Sequence, residues 1–421
     1  MRHLFVSFFA FSLLLSPLQA ASVIFIHPDG AGVAAWQAGR FLFAGPDGTL
    51  NWDKLPHVGI YRGHMEDCLT ASSNGGATAH AYGIKAAVAG FGSDGVKAGR
   101  PTAASGKEMS LMHEALDAGL RTALINSGSI IEPGTAAFVA SVAKRSENEE
   151  IALQVIESGV EVILSGGEQW LLPEGVEGRH GKGLRKDGRD LIALAKEKGY
   201  TVVFNREELL AVPAGTRKLL GVFAAAHTFN DMTPADLEKA GLPTFSESAP
   251  TIAEMTAKTL ELLSGSHFFA VIEEEGTDNF GNFNNARGVF DALKRADDAF
   301  GVVLDYIAKE PDTFLITAAD SVAGNFDVIG LTASPKAAAL VASGRDENGA
   351  PFGFDAGGAP FVAAPDKAGK RHAFVVSWGT KHDSSGGIVA RAAGKGAEAV
   401  AGTVDNSRIY SLMREALFDK K

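Results

Sequence analysis

Short apolar runs alternate along this chain with longer stretches in which apolar residues recur every three or four positions. The runs 23–26, 122–125, 162–164, 201–204, 219–223, 268–272, 314–317 and 373–376 predict strands. The early runs are unbroken, as in strands buried on both faces. The periodic stretches predict helices over 77–88, 108–118, 147–157, 191–198, 251–263, 286–307 and 407–418. This alternation predicts an α/β fold, a three-layer α/β/α sandwich around a mostly parallel central sheet. In such folds ligands bind beyond the carboxyl ends of the strands, so polar residues that directly follow a strand are the candidates for chemistry. Residues 324–370 are rich in Ala, Gly and Pro and weakly patterned. They predict an insertion of loops and short elements within one domain spanning 21–421.

Residues 1–20 read as an export signal. Arg2 and His3 are a basic start, 4–15 is apolar apart from Ser7 and Ser12, and Pro17 precedes a small-residue site cleaved after Ala20 or Ala21. No later run is long enough to span a bilayer, so a periplasmic or secreted protein with no membrane contact after cleavage is expected. A hydrophobic fraction of 46% against 21% charged residues indicates a globular chain. The net charge of -11 argues against nucleic acid as a specific partner. Cys68 is the single cysteine, so no intrachain disulfide staples the fold.

Four places carry candidate chemistry. Ser72 and Ser73 stand just before the small-residue run 75–81. A serine at a helix start sits among free N–H groups, which suit phosphate or a serine alkoxide; it is also a good structural cap. Asp29 follows the first strand in His27-Pro28-Asp29-Gly30-Ala31-Gly32. The glycines there fit a dinucleotide fingerprint only weakly, since no second strand with a terminal acidic residue follows, and a carboxylate placed to bind a metal is the better reading. Glu273, Glu274, Glu275 and Asp278 follow the strand 268–272, and Asp320 with Ser321 follows 314–317. If these strands are neighbours, the carboxylates converge on one rim and repel unless cations hold them; the alternative is a solvated rim with helix caps.

In this order and spacing the residues resemble the alkaline phosphatase family over almost all of the mature chain. Asp29 resembles the metal-bridging aspartate of the family's opening element. Ala77-Thr78-Ala79 and Gly83-Ile84-Lys85 resemble the end of its nucleophile helix, and counting back places the nucleophile at Ser73, with Ser72 where an aspartate is usual. Glu132-Pro133-Gly134-Thr135-Ala136-Ala137-Phe138 resembles a magnesium-binding segment, in which Gly134 fills a threonine's place. Counting on reaches Arg145, the phosphate-binding arginine by this resemblance, or else a surface residue at a helix start. Glu273 resembles the magnesium glutamate, Asp278 and Asp320 the zinc aspartates, and His382 the late zinc histidine. Asn282 and Ser321 stand where two further zinc histidines are usual.

The resemblance implies a phosphate monoester hydrolase acting on small phosphorylated substrates through a phosphoserine at Ser73. One metal would be held by Asp29, Asp320 and Ser321, the other by Asp278, His382 and Asn282, with magnesium at Glu273 supported by Glu132. Zinc is the family's metal for the pair. Amide and hydroxyl oxygens at Asn282 and Ser321 suit harder ions such as Mg²⁺, Mn²⁺ or Ca²⁺, and Co²⁺ is a further candidate. Relatives often pair into homodimers. His27, His64 and His80 read as structural or supporting residues, and His267 has no assigned role. A sulfatase would need a C/S-x-P-x-R setting, which Cys68-Leu69-Thr70-Ala71-Ser72 lacks. Two alternatives stay open: a phosphodiesterase of the same superfamily, and a phosphatase-like protein that binds a phosphorylated ligand after losing efficient catalysis.

Overall fold

The computed structural model describes residues 21–95 and 99–418; the export signal expected in 1–20 lies outside them. Its strands in chain order are β1 Ser22–Pro28, β2 His57–Arg62, β3 Arg121–Ser129, β4 Val162–Gly166, β5 Thr201–Val203, β6 Leu219–Val222, β7 Phe268–Glu274 and β8 Thr313–Thr317. They continue with β9 Val322–Ala323, β10 Phe326–Gly330, β11 Phe352–Gly353, β12 Phe361–Val362, β13 Ala373–Trp378, β14 Asp383–Ser384, β15 Val389–Gly394 and β16 Gly402–Asp405. Ten of them form one sheet in the order β16-β2-β15-β8-β1-β7-β3-β4-β6-β5. Every pairing in it is parallel except those made by β15.

The unbroken apolar runs serve both faces of this sheet. Val23, Phe25, Leu124, Phe269 and Ile316 face one core, and Ile24, Ile26, Ile125, Ala270 and Leu315 face the other. Helix Asn406–Phe418 packs on the first face through Ile409, Leu412 and Met413, and helix Ala286–Ile307 on the second through Val289, Phe290, Leu293 and Phe300. This is the expected three-layer sandwich. Each large apolar side chain so buried contributes about 1.5–3 kcal/mol.

The insertion is more ordered than its composition predicts. It holds helix Pro335–Ser343 and the strands β10, β11 and β12, which all pair antiparallel with β13 just beyond it. The strand expected at 373–376 therefore belongs to this small sheet and not to the central one. Phe326, Phe361 and Phe374 anchor the sheet edge-on against Phe290 of the long helix, with ring centroids 4.8–6.1 Å apart.

Candidate metal and phosphate site

The sheet order makes β8, β1 and β7 neighbours, with Ile26 opposite Thr317 and His27 opposite Glu273. Asp29, Glu273–Glu275 and Asp320 therefore meet on one rim, and all are buried. Helix Gly276–Asn282 follows β7 directly and adds Asp278 from its first turn.

Helix Ser73–Tyr82 starts at this rim. It begins four residues before the predicted 77 and stops at Gly83, whose φ of 70° is left-handed, instead of running to 88. The two serines divide the roles that the sequence left open. Ser72 is the cap: its hydroxyl accepts from the Gly75 N–H at 3.4 Å and donates to the Val88 carbonyl at 2.5 Å. Ser73 is the first helical residue, half-buried, and its hydroxyl lies close enough to Asp29 to lower that carboxyl's pKa. Gly76 makes the approach possible, because a Cβ there would lie 2.4 Å from the Asp320 Cβ. Small residues in this helix thus serve the site as well as the packing.

Two groups of side chains bring ligand atoms within 4.8 Å of one another: His27, Asp29 and Asp320, and Asp29, Glu275 and Asp278. Asp29 belongs to both. Buried polar atoms without a hydrogen-bond partner include His27 Nε2, both oxygens of Asp29 and of Asp320, Glu273 Oε1, Glu275 Oε2 and Ser321 Oγ. Burial raises Glu275, Asp278 and Asp320 well above the usual carboxyl range, and repulsion from Glu132, Asp383 and Asp29 respectively adds to it. Burial also pushes Glu273 up to about 8, against the pull of His27. Burial opposes protonation of His27, but Asp29, with Asp320 and Glu273, outweighs it and pushes the imidazole up to about 10. Burial acts on Asp29 too, yet His27, Asp320 and Ser73 hold it well below the usual range. Such a cluster of buried oxygen donors fits divalent cations, which would keep the carboxylates ionised.

Around Asp278 the arrangement departs from expectation. The Asn282 amide nitrogen donates to both oxygens of Asp278, at 3.2 and 3.1 Å, and to Asp383 at 3.1 Å. Its amide oxygen is engaged by the Gly324 N–H at 3.1 Å. Asn282 thus turns its amide nitrogen toward Asp278 and Asp383 and its amide oxygen toward Gly324. His382 is exposed, and its backbone carbonyl is what engages Gly324. The neighbouring Asp383, on β14, is the side chain that reaches Asn282 and Asp278. β14 pairs with β9, so alternation along this short strand turns residue 383 inward. Ser321 is buried beside Asp320 and close to Asp383.

Arg145 lies in the turn before helix Asn148–Glu157. Its guanidinium donates to Glu132 at 2.6 Å and to the Ile131 carbonyl at 2.9 Å, and it stacks 5.5 Å from the Phe91 centroid. Glu132 in turn faces Glu273 and Glu275. Asn126 donates to Glu273 and, at 2.9 Å, to Thr135. Glu273 fills the space of any side chain at residue 134, since a Cβ on Gly134 would lie 2.0 Å from its Oε1.

The sequence carried Glu275 only as one carboxylate of the run after 268–272, with no role of its own, and gave the late role to His382 and not to its neighbour Asp383. His27 read as structural or supporting, although its two-residue spacing from Asp29, just past β1, turns both to the same side.

The family model described as alkaline phosphatase matches residues 20–418. Alkaline phosphatase of Gadus morhua is 26% identical over 345 residues, covering 73% of this chain and 70% of the cod protein. The tissue-nonspecific isozyme of Gallus gallus is 27% identical over 340 residues, covering 72% of this chain and 63% of its own length. The structure of alkaline phosphatase from the Antarctic bacterium TAB5 superposes with a TM-score of 0.72 at 22% identity, covering 96% of this chain and all of that one (100%).

Proposed function

The chain belongs to the alkaline phosphatase family, and from that premise we propose that it is an exported, metal-dependent hydrolase of small phosphate monoesters with Ser73 as nucleophile. The observation that carries this reading is the meeting of the Ser73 helix start with the buried Asp29–Asp320–Asp278 rim. Asp29 and Asp320 would hold one divalent ion; Asp278, Glu275 and Asp383 would hold another. Bound there, the ions would supply Lewis acidity to phosphate and hydroxyl oxygens.

The protein's own groups would do the rest. Ser73 Oγ attacks phosphorus and loses its proton as the O–P bond forms; the bond to the alcohol breaks, and the alcohol leaves protonated. Water then cleaves the phosphoserine, releasing phosphate and restoring Ser73. Free N–H groups of the first helical turn favour the phosphoryl oxygens. Arg145 keeps further N–H donors beyond those given to Glu132 and Ile131, and its planar fork suits two phosphate oxygens.

Export is supported by the pattern of residues 1–20, and among the described residues no helix is long and apolar enough to cross a membrane. A second reading, a protein that binds a phosphorylated ligand without efficient turnover, is favoured by the lack of imidazole at Asn282 and Ser321 and by the exposure of His382. Turnover of p-nitrophenyl phosphate with Mg²⁺, Mn²⁺, Co²⁺, Zn²⁺ or Ca²⁺ separates the two. The enzyme reading expects chelator-sensitive turnover that falls by several orders of magnitude in Ser73→Ala and stays within a few-fold in Ser72→Ala. Turnover with none of the five ions would refute it.

A further inference from the structure

The imidazoles that the resemblance leads one to expect are displaced from the site: Asn282 and Ser321 stand at two positions, and His382 is exposed. One imidazole does lie in the centre, and it comes from inside the sheet. We infer that His27 is a nitrogen ligand of the divalent cation held by Asp29 and Asp320, an inference that rests on the metal-dependent reading above.

The ring's orientation is fixed. His27 Nδ1 lies 2.7 Å from the Ala318 carbonyl oxygen, which can only accept, so Nδ1 carries a proton and the neutral ring keeps its lone pair on Nε2. Histidines that ligate metals almost always donate their other N–H to a carbonyl or carboxylate in this way. The Nε2 atom is buried without a hydrogen-bond partner, 3.4 Å from Asp29 Oδ1 and 4.0 Å from Asp320 Oδ1. The oxygens of both carboxylates are likewise without partners. His80 crosses the ring edge-on at 5.5 Å, and pairing of β1 on both sides holds the backbone that carries it.

This ligand makes the two halves of the centre chemically unequal. One imidazole with carboxylates suits Zn²⁺, Co²⁺ or Mn²⁺, whereas the oxygen-only set of Asp278, Glu275 and Asp383 suits Mg²⁺, Mn²⁺ or Ca²⁺.

The test is a calorimetric titration of the metal-stripped full chain with Mn²⁺, followed by pulsed EPR of the Mn²⁺ complex with ¹⁵N-labelled histidine. The expected result is a nitrogen coupling that changes with the label, persists in His382→Asn and disappears in His27→Asn. Mn²⁺ affinity of His27→Asn should fall by more than the roughly 10–100-fold that loss of an outer partner costs. A wild-type complex with no histidine nitrogen coupling, or a coupling lost in His382→Asn, overturns the assignment while metal binding survives. Failure of the wild type to take up Mn²⁺ overturns the metal-dependent reading and the assignment with it. The labelled wild type and His382→Asn alter nothing in the core, so they decide the matter even if His27→Asn does not fold.

Discussion

The two halves of the proposed metal centre are built on different foundations. Asp29, Asp320 and His27 are fully buried and follow, or belong to, adjacent strands at the middle of the sheet. Asp278 and Asn282 sit on a seven-residue helix, and half-buried Asp383 sits on the two-residue strand β14. Sheet register fixes the first half, so its residues can be placed by reading along one strand. The second half depends on how the insertion returns to the domain, where a shift of one residue exchanges His382 for Asp383. Rigidity and chemistry diverge together: the sheet-borne half has an imidazole, and the loop-borne half has only oxygen donors.

The largest effect expected on this contrast comes from Gly76→Val. Its side chain would displace Asp320, since even a Cβ lies 2.4 Å from the Asp320 Cβ. Overpacking of this kind costs about 1–3 kcal/mol, read as a lowered Tm, and turnover should fall far more than a Tm shift alone explains. Normal turnover in this variant would show that Asp320 can move freely and that the sheet-borne half is not rigid.

A smaller effect concerns pH. The folded pKa values of Glu273, about 8, and His27, about 10, are raised above their unfolded values. Asp278, Glu275 and Asp320 are raised as well. Raised groups contribute stability below their unfolded pKa values and lose it as pH rises through the folded ones. Metal-free protein should therefore lose several degrees of Tm between about pH 6 and about pH 9, and divalent metal should reduce that loss. A flat Tm in chelator across this window would contradict the clustering of buried carboxyls.

The smallest effect expected is on metal preference. Asn282→His together with Asp383→His changes only the loop-borne half. It should move that position toward Zn²⁺, read by competition between Zn²⁺ and Mg²⁺, and leave the Ser73 side intact. An unchanged preference would separate these residues from the ion.

How far the sequence carried depended on burial. Strands such as β1, β4 and β7 were legible because burial on both faces demands unbroken apolar runs. β2 was not, since it alternates exposed residues with Gly59 and Tyr61, and half of β15 is alanine. The helix at Ser73 was placed four residues late because Ser73-Asn74-Gly75-Gly76 has weak helix propensity and is held by tertiary contacts instead. Asp29 and Asp320 come just after their strands and Glu273 near the end of its own, so the sequence could place them at the rim; His27, opposite Glu273 in register, read as structural or supporting. Asn282 could be placed but not oriented, because the Gly324 N–H that turns its amide comes from the insertion.

The central claim is that Ser73, not its capping neighbour Ser72, carries the phosphoryl group. Quenching the metal-loaded protein in acid during turnover of p-nitrophenyl phosphate, then mapping the modified peptide by mass spectrometry, tests it directly. The account predicts one phosphoryl group on Ser73. Phosphate on Ser72, or turnover with no phosphoserine trapped under any quench, would contradict it.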